Sequence, residues 1–208
     1  MGKILLRRYT NLVATIHMLR QRVVTLLNPQ LWDDRNDAFG IGQYQAARDA
    51  KSVLALCFAE QHETCHHWKV FSSGIDGVCL EFDKARLLQA FATNPTVRSG
   101  MVAYREISAL KQSTLEISEL PFVKRFPYQD EREFRIIYED MTEELTFKDF
   151  SIGLDCIQRV NLSPWMPKPL ADSVRATIRS IPGCETLKIN RSTLIENDQW
   201  KKCLSQAV

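Results

Sequence analysis

Hydrophobic positions recur with two periods along this chain, and the alternation between them lays out its elements. Continuous or period-two apolar runs predict strands over 3–9 (KILLRRY), 22–27 (RVVTLL), 52–58 (SVLALCF) and 77–82 (GVCLEF). Further strands are expected over 101–104, 145–152, 157–162 and 186–189. Leu12, Val13, Ile16 and Leu19 fall at helical spacing behind a cap at Thr10 or Asn11, and Leu87, Leu88 and Phe91 do so behind Asp83. Other helical pieces are expected over 43–50, 62–71 and 170–181, with a polar helical tail around Trp200. The segment NPQLWDDRNDAFG, residues 28–40, reads as a loop dense in Asp and Asn.

The stretch that stands apart is 124–140, KRFPYQDEREFRIIYED. Two cations and a proline turn lead into Asp130, Glu131 and Glu133, then into a β-branched and aromatic run, predicting a strand over 131–138. Alternation along a strand sends Phe134, Ile136 and Tyr138 to the core and Glu131, Glu133 and Arg135 to the opposite face. Two carboxylates and a guanidinium are costly to bury unpaired, so a polar cleft is expected there. Lys124 or an arginine of the first strand, Arg7 or Arg8, is the expected counter-charge.

Mixed periods without regular strand–helix alternation indicate one α+β domain over 1–208, with a split or strongly bent mixed sheet. The motifs lie in 1–140, and the strands and helices of 141–208 complete the same domain. A net charge of +2 does not indicate nucleic acid as a partner, and no apolar run approaches membrane-spanning length. The six cysteines form no C-x-x-C pair, and no export signal opens the chain, so reduced thiols and a cytoplasmic location are expected. Cys57 and Cys79, inside apolar strands, should be buried, with Trp68 and Phe82 walling the site or the adjacent core.

His62-Glu63-Thr64-Cys65-His66 matches H-E-x-x-H, in which two histidines on one helical face share a metal. It begins about one turn after a strand and lacks an obvious third ligand downstream, so no metal is expected. A metal-dependent hydrolase using His62 and His66 stands as one alternative function. A non-catalytic module that binds a ligand or protein partner is another. No phosphate-binding glycine loop is present.

NPQLWDDRNDAFG, CHHWKVF with GVCLEFD, and KRFPYQDEREFRI together resemble the bacterial domain of unknown function 2971. More distantly the chain is similar to ADP-ribosyltransferases, on Arg7 or Arg8 with Tyr9 in the first strand and Glu131-Arg132-Glu133 at the head of FRII. That similarity implies an NAD-consuming enzyme, a transferase or glycohydrolase, serving as an intracellular toxin or defence effector. It implies a cleft that holds NAD and an unknown acceptor. In it Glu133 stabilises an oxocarbenium-like transition state, Glu131 orients the acceptor and Arg135 completes the catalytic group. The nucleotide would be held by residues drawn from Arg7, Arg8, Tyr9, Trp32, Asn36, Asp37, His67, Trp68 and Lys124. Where that superfamily often carries a Ser/Thr-rich middle strand, this chain has Ala55-Leu56-Cys57.

Overall fold

Asn11 ends the first strand and starts the first helix in one step. Its side chain accepts a hydrogen bond from the Ala14 N–H at 2.8 Å, which satisfies one of the free donors of the first turn. In the computed structural model, which describes residues 3–72, 74–112 and 114–206, this gives β1 (Leu5–Asn11) and α1 (Leu12–Gln21). Arg22, left-handed at φ 55°, closes the helix and turns the chain into β2 (Val23–Leu27).

The expected loop over 28–40 is mostly helix. After a short 3-10 turn, Asp34 caps α2 (Arg35–Ala47), accepting from the N–H groups of Asn36 and Asp37 at 3.0 and 3.4 Å. An Asp-rich segment that reads as turns is also what a helix N-terminus requires, and here the cap prevails. Next come β3 (Ser52–Ala59), α3 (Cys65–Phe71), β4 (Gly77–Asp83) and α4 (Lys84–Gln89). The strand expected over 101–104 is divided between β5 (Val97–Met101) and β6 (Ala103–Arg105); α5 (Ile107–Leu110) and β7 (Val123–Arg125) follow.

The central strand is β8 (Glu133–Asp140), two residues later than expected at its start. A 3-10 turn over Phe126–Glu131 precedes it, and Arg132 adopts a left-handed φ of 43°. Such a conformation is rare outside glycine and has no sequence signal here. Glu131 therefore reaches the site from a turn, not from the strand. The chain ends with β9 (Phe147–Ser151), β10 (Ile157–Leu162), α6 (Lys168–Arg179), β11 (Ile189–Arg191) and α7 (Asp198–Ser205).

β3 and β8 pair along their whole length, from Ser52↔Asp140 to Ala59↔Glu133, and β5 joins the outer edge of β8. On the other edge of β3 the sheet forks. β1 meets β3 at Arg7↔Ala59 and continues through β4 and β10 to β11; β2 meets it at Leu27↔Ala55 and continues to β9. Among the described residues the sheet has nine strands; β10 and β11 are parallel within it, and β6 and β7 form a separate parallel pair. This is a mixed α+β domain with a split sheet.

One face carries the main core, with Leu54, Leu56, Phe58, Phe134, Ile136 and Phe82 packed against Leu19 of α1, Leu87 of α4 and Ile178 of α6. Each such fully buried side chain contributes about 1.5–3 kcal/mol. The other face has two smaller clusters. Ile41 and Tyr44 of α2 cover Val53, Ala55 and Ile137. Trp68 of α3 covers Tyr9, Ala59 and Cys79. Arg135 of β8, opposite Cys57, lies between Ala55 of the first cluster and Ala59 of the second.

All six cysteines are free. Cys79, Cys156 and Cys184 are buried, while Cys57, expected to be buried, is half-buried because it faces this second, polar side of β3. Among the described residues no helix is long and apolar enough to cross a membrane.

Candidate functional site

Arg135 is the hub of the site. It lies on β8 opposite Cys57 of β3 and is 0% exposed. A guanidinium has five N–H donors, and burial requires each to find an acceptor. Nε donates to Glu133 Oε1 at 2.7 Å and NH2 to Glu133 Oε2 at 3.0 Å. NH1 and NH2 donate to the two oxygens of Asp37 at 2.9 and 2.7 Å, and NH1 also donates to the Pro121 carbonyl at 2.7 Å. All five are used. The half-buried Trp32 ring lies over the guanidinium, 5.0 Å from its centroid.

Lys124 closes the other side. Its Nζ is 2.6 Å from Glu131, 3.5 Å from Glu133 and 3.7 Å from Asp37. Tyr128 lies beneath the ammonium at 4.8 Å, and the Tyr104 hydroxyl accepts from the Glu133 N–H at 2.9 Å. The cluster thus holds three carboxylates and two cations, all screened from water.

The three carboxyls respond differently to that setting. Burial pushes the pKa of Glu133 up, but Arg135, with help from Lys124, outweighs it and holds the group at about 2. For Glu131 burial prevails over the pull of Lys124, and for Asp37 it prevails over that of Arg135, so both are raised. Lys124 is raised as well: burial opposes its charge, and Glu133 and Glu131 overcome it. Glu133 is the firmly ionised member, with the two softer acids beside it.

A second group sits across the fork, on β1 and α3. Arg7 pairs with Glu81 of β4 at 3.1 Å and donates to the Gln61 carbonyl. Arg8 donates to the Cys57 carbonyl of β3 at 3.1 Å. Of the expected counter-charges, Lys124 and Arg135 pair directly with the acids, while Arg8 feels the charge of Glu133 without an ion pair to it among the described residues. Tyr9 stacks on His67 at 5.3 Å and meets Trp68 edge-on at 5.4 Å, and its buried hydroxyl faces the Cys79 thiol.

His67 and Trp68 are fully buried walls of this second group. Trp68 Nε1 donates to Glu63 at 2.6 Å, and the same carboxylate oxygen accepts from Ser192. His67 Nε2 lies 3.1 Å from the Glu131 carbonyl, which joins the second group to the first. Asn36 belongs to neither: it is exposed, and its side chain donates to Asp34 within the α2 cap. Among the residues that sequence reasoning passed over, Pro121 touches the site through its carbonyl, Tyr104 through its hydroxyl on the Glu133 N–H and Gln61 through its side-chain amide on the Asp130 carbonyl; contacts to backbone groups leave no motif behind.

The H-E-x-x-H match straddles the start of a helix. Thr64 caps α3, so the exposed His62 and the half-buried Glu63 precede it and the two histidines do not share a helical face. Glu63 is engaged by Trp68 and Ser192, which removes it from the role of a base.

No protein-family model matches the chain, and no curated protein matches it. Among solved structures it is similar to Thermus sp. 2.9 DarT in complex with carba-NAD+, with a TM-score of 0.46 and 9% identity over 92% of this chain and 97% of that one. The same DarT in complex with ADP-ribosylated ssDNA is similar with a TM-score of 0.46 and 11% identity, over 91% and 94% of the two chains. In complex with NAD+ the corresponding values are 0.46 and 11%, over 92% and 96%.

Proposed function

We propose that this chain is an NAD-consuming enzyme of the ADP-ribosyltransferase type, a transferase or glycohydrolase, with Glu133 as its central catalytic group. The observation that carries this reading is a carboxylate fixed in the ionised state at the head of β8, 5% exposed, with its pKa held at about 2. Cleaving the bond between ribose C1′ and the nicotinamide nitrogen sends the bonding pair to nicotinamide and leaves positive charge on the ribose. A preorganised negative charge in a dry setting stabilises such a cation far more than water does. In this reading Glu131, softer and hydrogen-bonded to Lys124, takes the proton from the hydroxyl, amine or water that then attacks C1′. Trp32 and Arg8, both half-buried, supply aromatic and cationic surface for a dinucleotide, with Tyr9 and Lys124 packed within the two groups that flank it. A toxin or defence role, and membership of the domain of unknown function 2971, rest on the sequence resemblance.

A non-catalytic reading has an observation of its own. Both oxygens of Glu133 are already engaged by Arg135, as in a buried network whose task is to define one packing. One experiment separates the two. Purified protein is incubated with NAD, and nicotinamide release is followed by mass. Release that is lost in Glu133→Gln supports the enzyme; a wild-type rate equal to that of buffer overturns it.

A further inference from the structure

We infer that Gln61 and His67 are positioning residues: together they clamp the turn that carries Glu131 into Glu133, and so set the geometry of the charged cluster from residues 60–67, which run from the end of β3 into α3. Three successive carbonyls of that turn accept from this segment. Gln61 Nε2 donates to Asp130, His67 Nε2 lies 3.1 Å from the Glu131 carbonyl, and the Glu60 N–H donates to Arg132 at 2.9 Å. The clamped residues are the ones that need it. Arg132 is left-handed without being glycine, and its own N–H reaches only Gln129 at 3.2 Å. A turn in that conformation persists when surrounding contacts over-determine it.

The direction of the His67 bond follows from its neighbours. Thr64 Oγ1 accepts from the His67 backbone N–H at 3.2 Å and lies 2.5 Å from Nδ1. The Glu131 carbonyl can only accept, so the Nε2 that meets it carries the ring proton, and the neutral ring leaves Nδ1 bare to accept from the Thr64 hydroxyl. Tyr9, stacked on the ring, keeps the imidazole in that plane. Arg7 anchors the other arm, holding the Gln61 carbonyl from its ion pair with Glu81. Arg7 and His67 are thus placed to hold the site's own chain. This assignment goes beyond the enzymatic reading, and only its kinetic arm rests on it.

The test has a spectroscopic arm and a kinetic arm. Nitrogen-15 NMR of the wild-type protein should show His67 neutral, with Nε2 protonated and Nδ1 bare; the opposite tautomer overturns the inference. In His67→Leu the released turn opens Glu131 to water, and its carboxyl titration, read by carbon-13 NMR and raised in the wild type by burial, should move down towards the ordinary carboxylate range. His67→Gln, which places an amide donor near the Nε2 position, should restore the wild-type value. An unchanged titration in His67→Leu overturns the clamp. If that variant does not fold, Gln61→Leu is read by the same titration with the same criterion. In the NAD assay His67→Leu should lower kcat by about 10- to 100-fold with KM little changed. A wild-type protein that releases no nicotinamide defeats the enzymatic reading and leaves the titration to decide the clamp.

Discussion

Asp37 and Arg135 form a two-pronged ion pair, with oxygen–nitrogen distances of 2.9 and 2.7 Å, across a sequence separation of 98 residues. The pair ties the first turn of α2 to the middle of β8. A carboxylate at that turn also meets the positive end of the helix, so the partners are held by two fields. Because Arg135 is 0% exposed, removing either partner strands the other in a place where water cannot compensate.

Asp37→Asn should therefore lower unfolding stability by about 3–5 kcal/mol, the usual result of breaking a buried pair from one side. A denaturant midpoint at constant slope measures it. Arg135→Lys should fare little better: an ammonium has three donors and cannot reproduce the fork that satisfies Asp37, Glu133 and Pro121 together. A loss under 1 kcal/mol in both variants would show that the cluster is wetter than its burial indicates.

β6 and β7 contain an unfavourable contact that should be simple to relieve. Arg105 and Arg125 are paired directly across this two-stranded parallel ribbon, and both are exposed. Among the described residues no carboxylate lies in ion-pair contact with either. Like charges in register destabilise a ribbon, so Arg125→Gln should raise stability by about 0.2–1 kcal/mol. The gain should shrink as salt rises and screens the wild-type repulsion. A variant that melts lower than wild type at low salt contradicts this account.

Trp32 offers a direct optical probe. Its ring lies over Arg135 at the surface of the cluster, so a dinucleotide entering the site must displace it or stack on it. Titration with NAD should change the fluorescence of a variant that keeps Trp32 and replaces the other three tryptophans by phenylalanine. Trp32→Ala should cost about 0.5–1 kcal/mol of stability from the lost cation–π contact while weakening NAD binding. No fluorescence change at saturating NAD would remove Trp32 from the site.

What could be read from the sequence was whatever depends on local period. The alternation in EREFRIIYED places Glu133 and Arg135 on one face and Phe134, Ile136 and Tyr138 on the other, and the structure keeps that division. Lys124 was legible as a counter-charge, because two neighbouring carboxylates demand one. Asp37 was not placed against Arg135, since a tertiary ion pair leaves no periodic trace and its segment reads equally well as turns. Glu131 was placed on the strand, because nothing in Asp130-Glu131-Arg132 announces a left-handed residue. His62-Glu63-Thr64-Cys65-His66 misled for a related reason: five residues cannot show where a helix begins, and the Thr64 cap decides it.

Glu133→Gln tests stability and chemistry together, and pH separates their contributions. In the folded chain Glu133 titrates at about 2, against about 4.3 for an unperturbed glutamate. A depressed carboxyl binds fewer protons than in the unfolded chain, so its contribution is complete above the unfolded value and is lost as pH falls through about 4 towards 2. That contribution is on the order of 3 kcal/mol. Asp37 and Glu131 are raised, and their sign is opposite: their contribution declines as pH rises from the ordinary carboxylate range through their folded values. Wild-type stability should fall steeply on the acid side, and Glu133→Gln should flatten that limb while being less stable at neutral pH. The chemistry is read separately at neutral pH, where the wild-type carboxylate is fully charged. A neutral amide stabilises a developing cation poorly, so nicotinamide release should fall by about 100-fold. A variant that loses the acid limb and melts lower, yet turns over NAD at the wild-type rate, would leave Glu133 a structural residue and rule out its catalytic assignment.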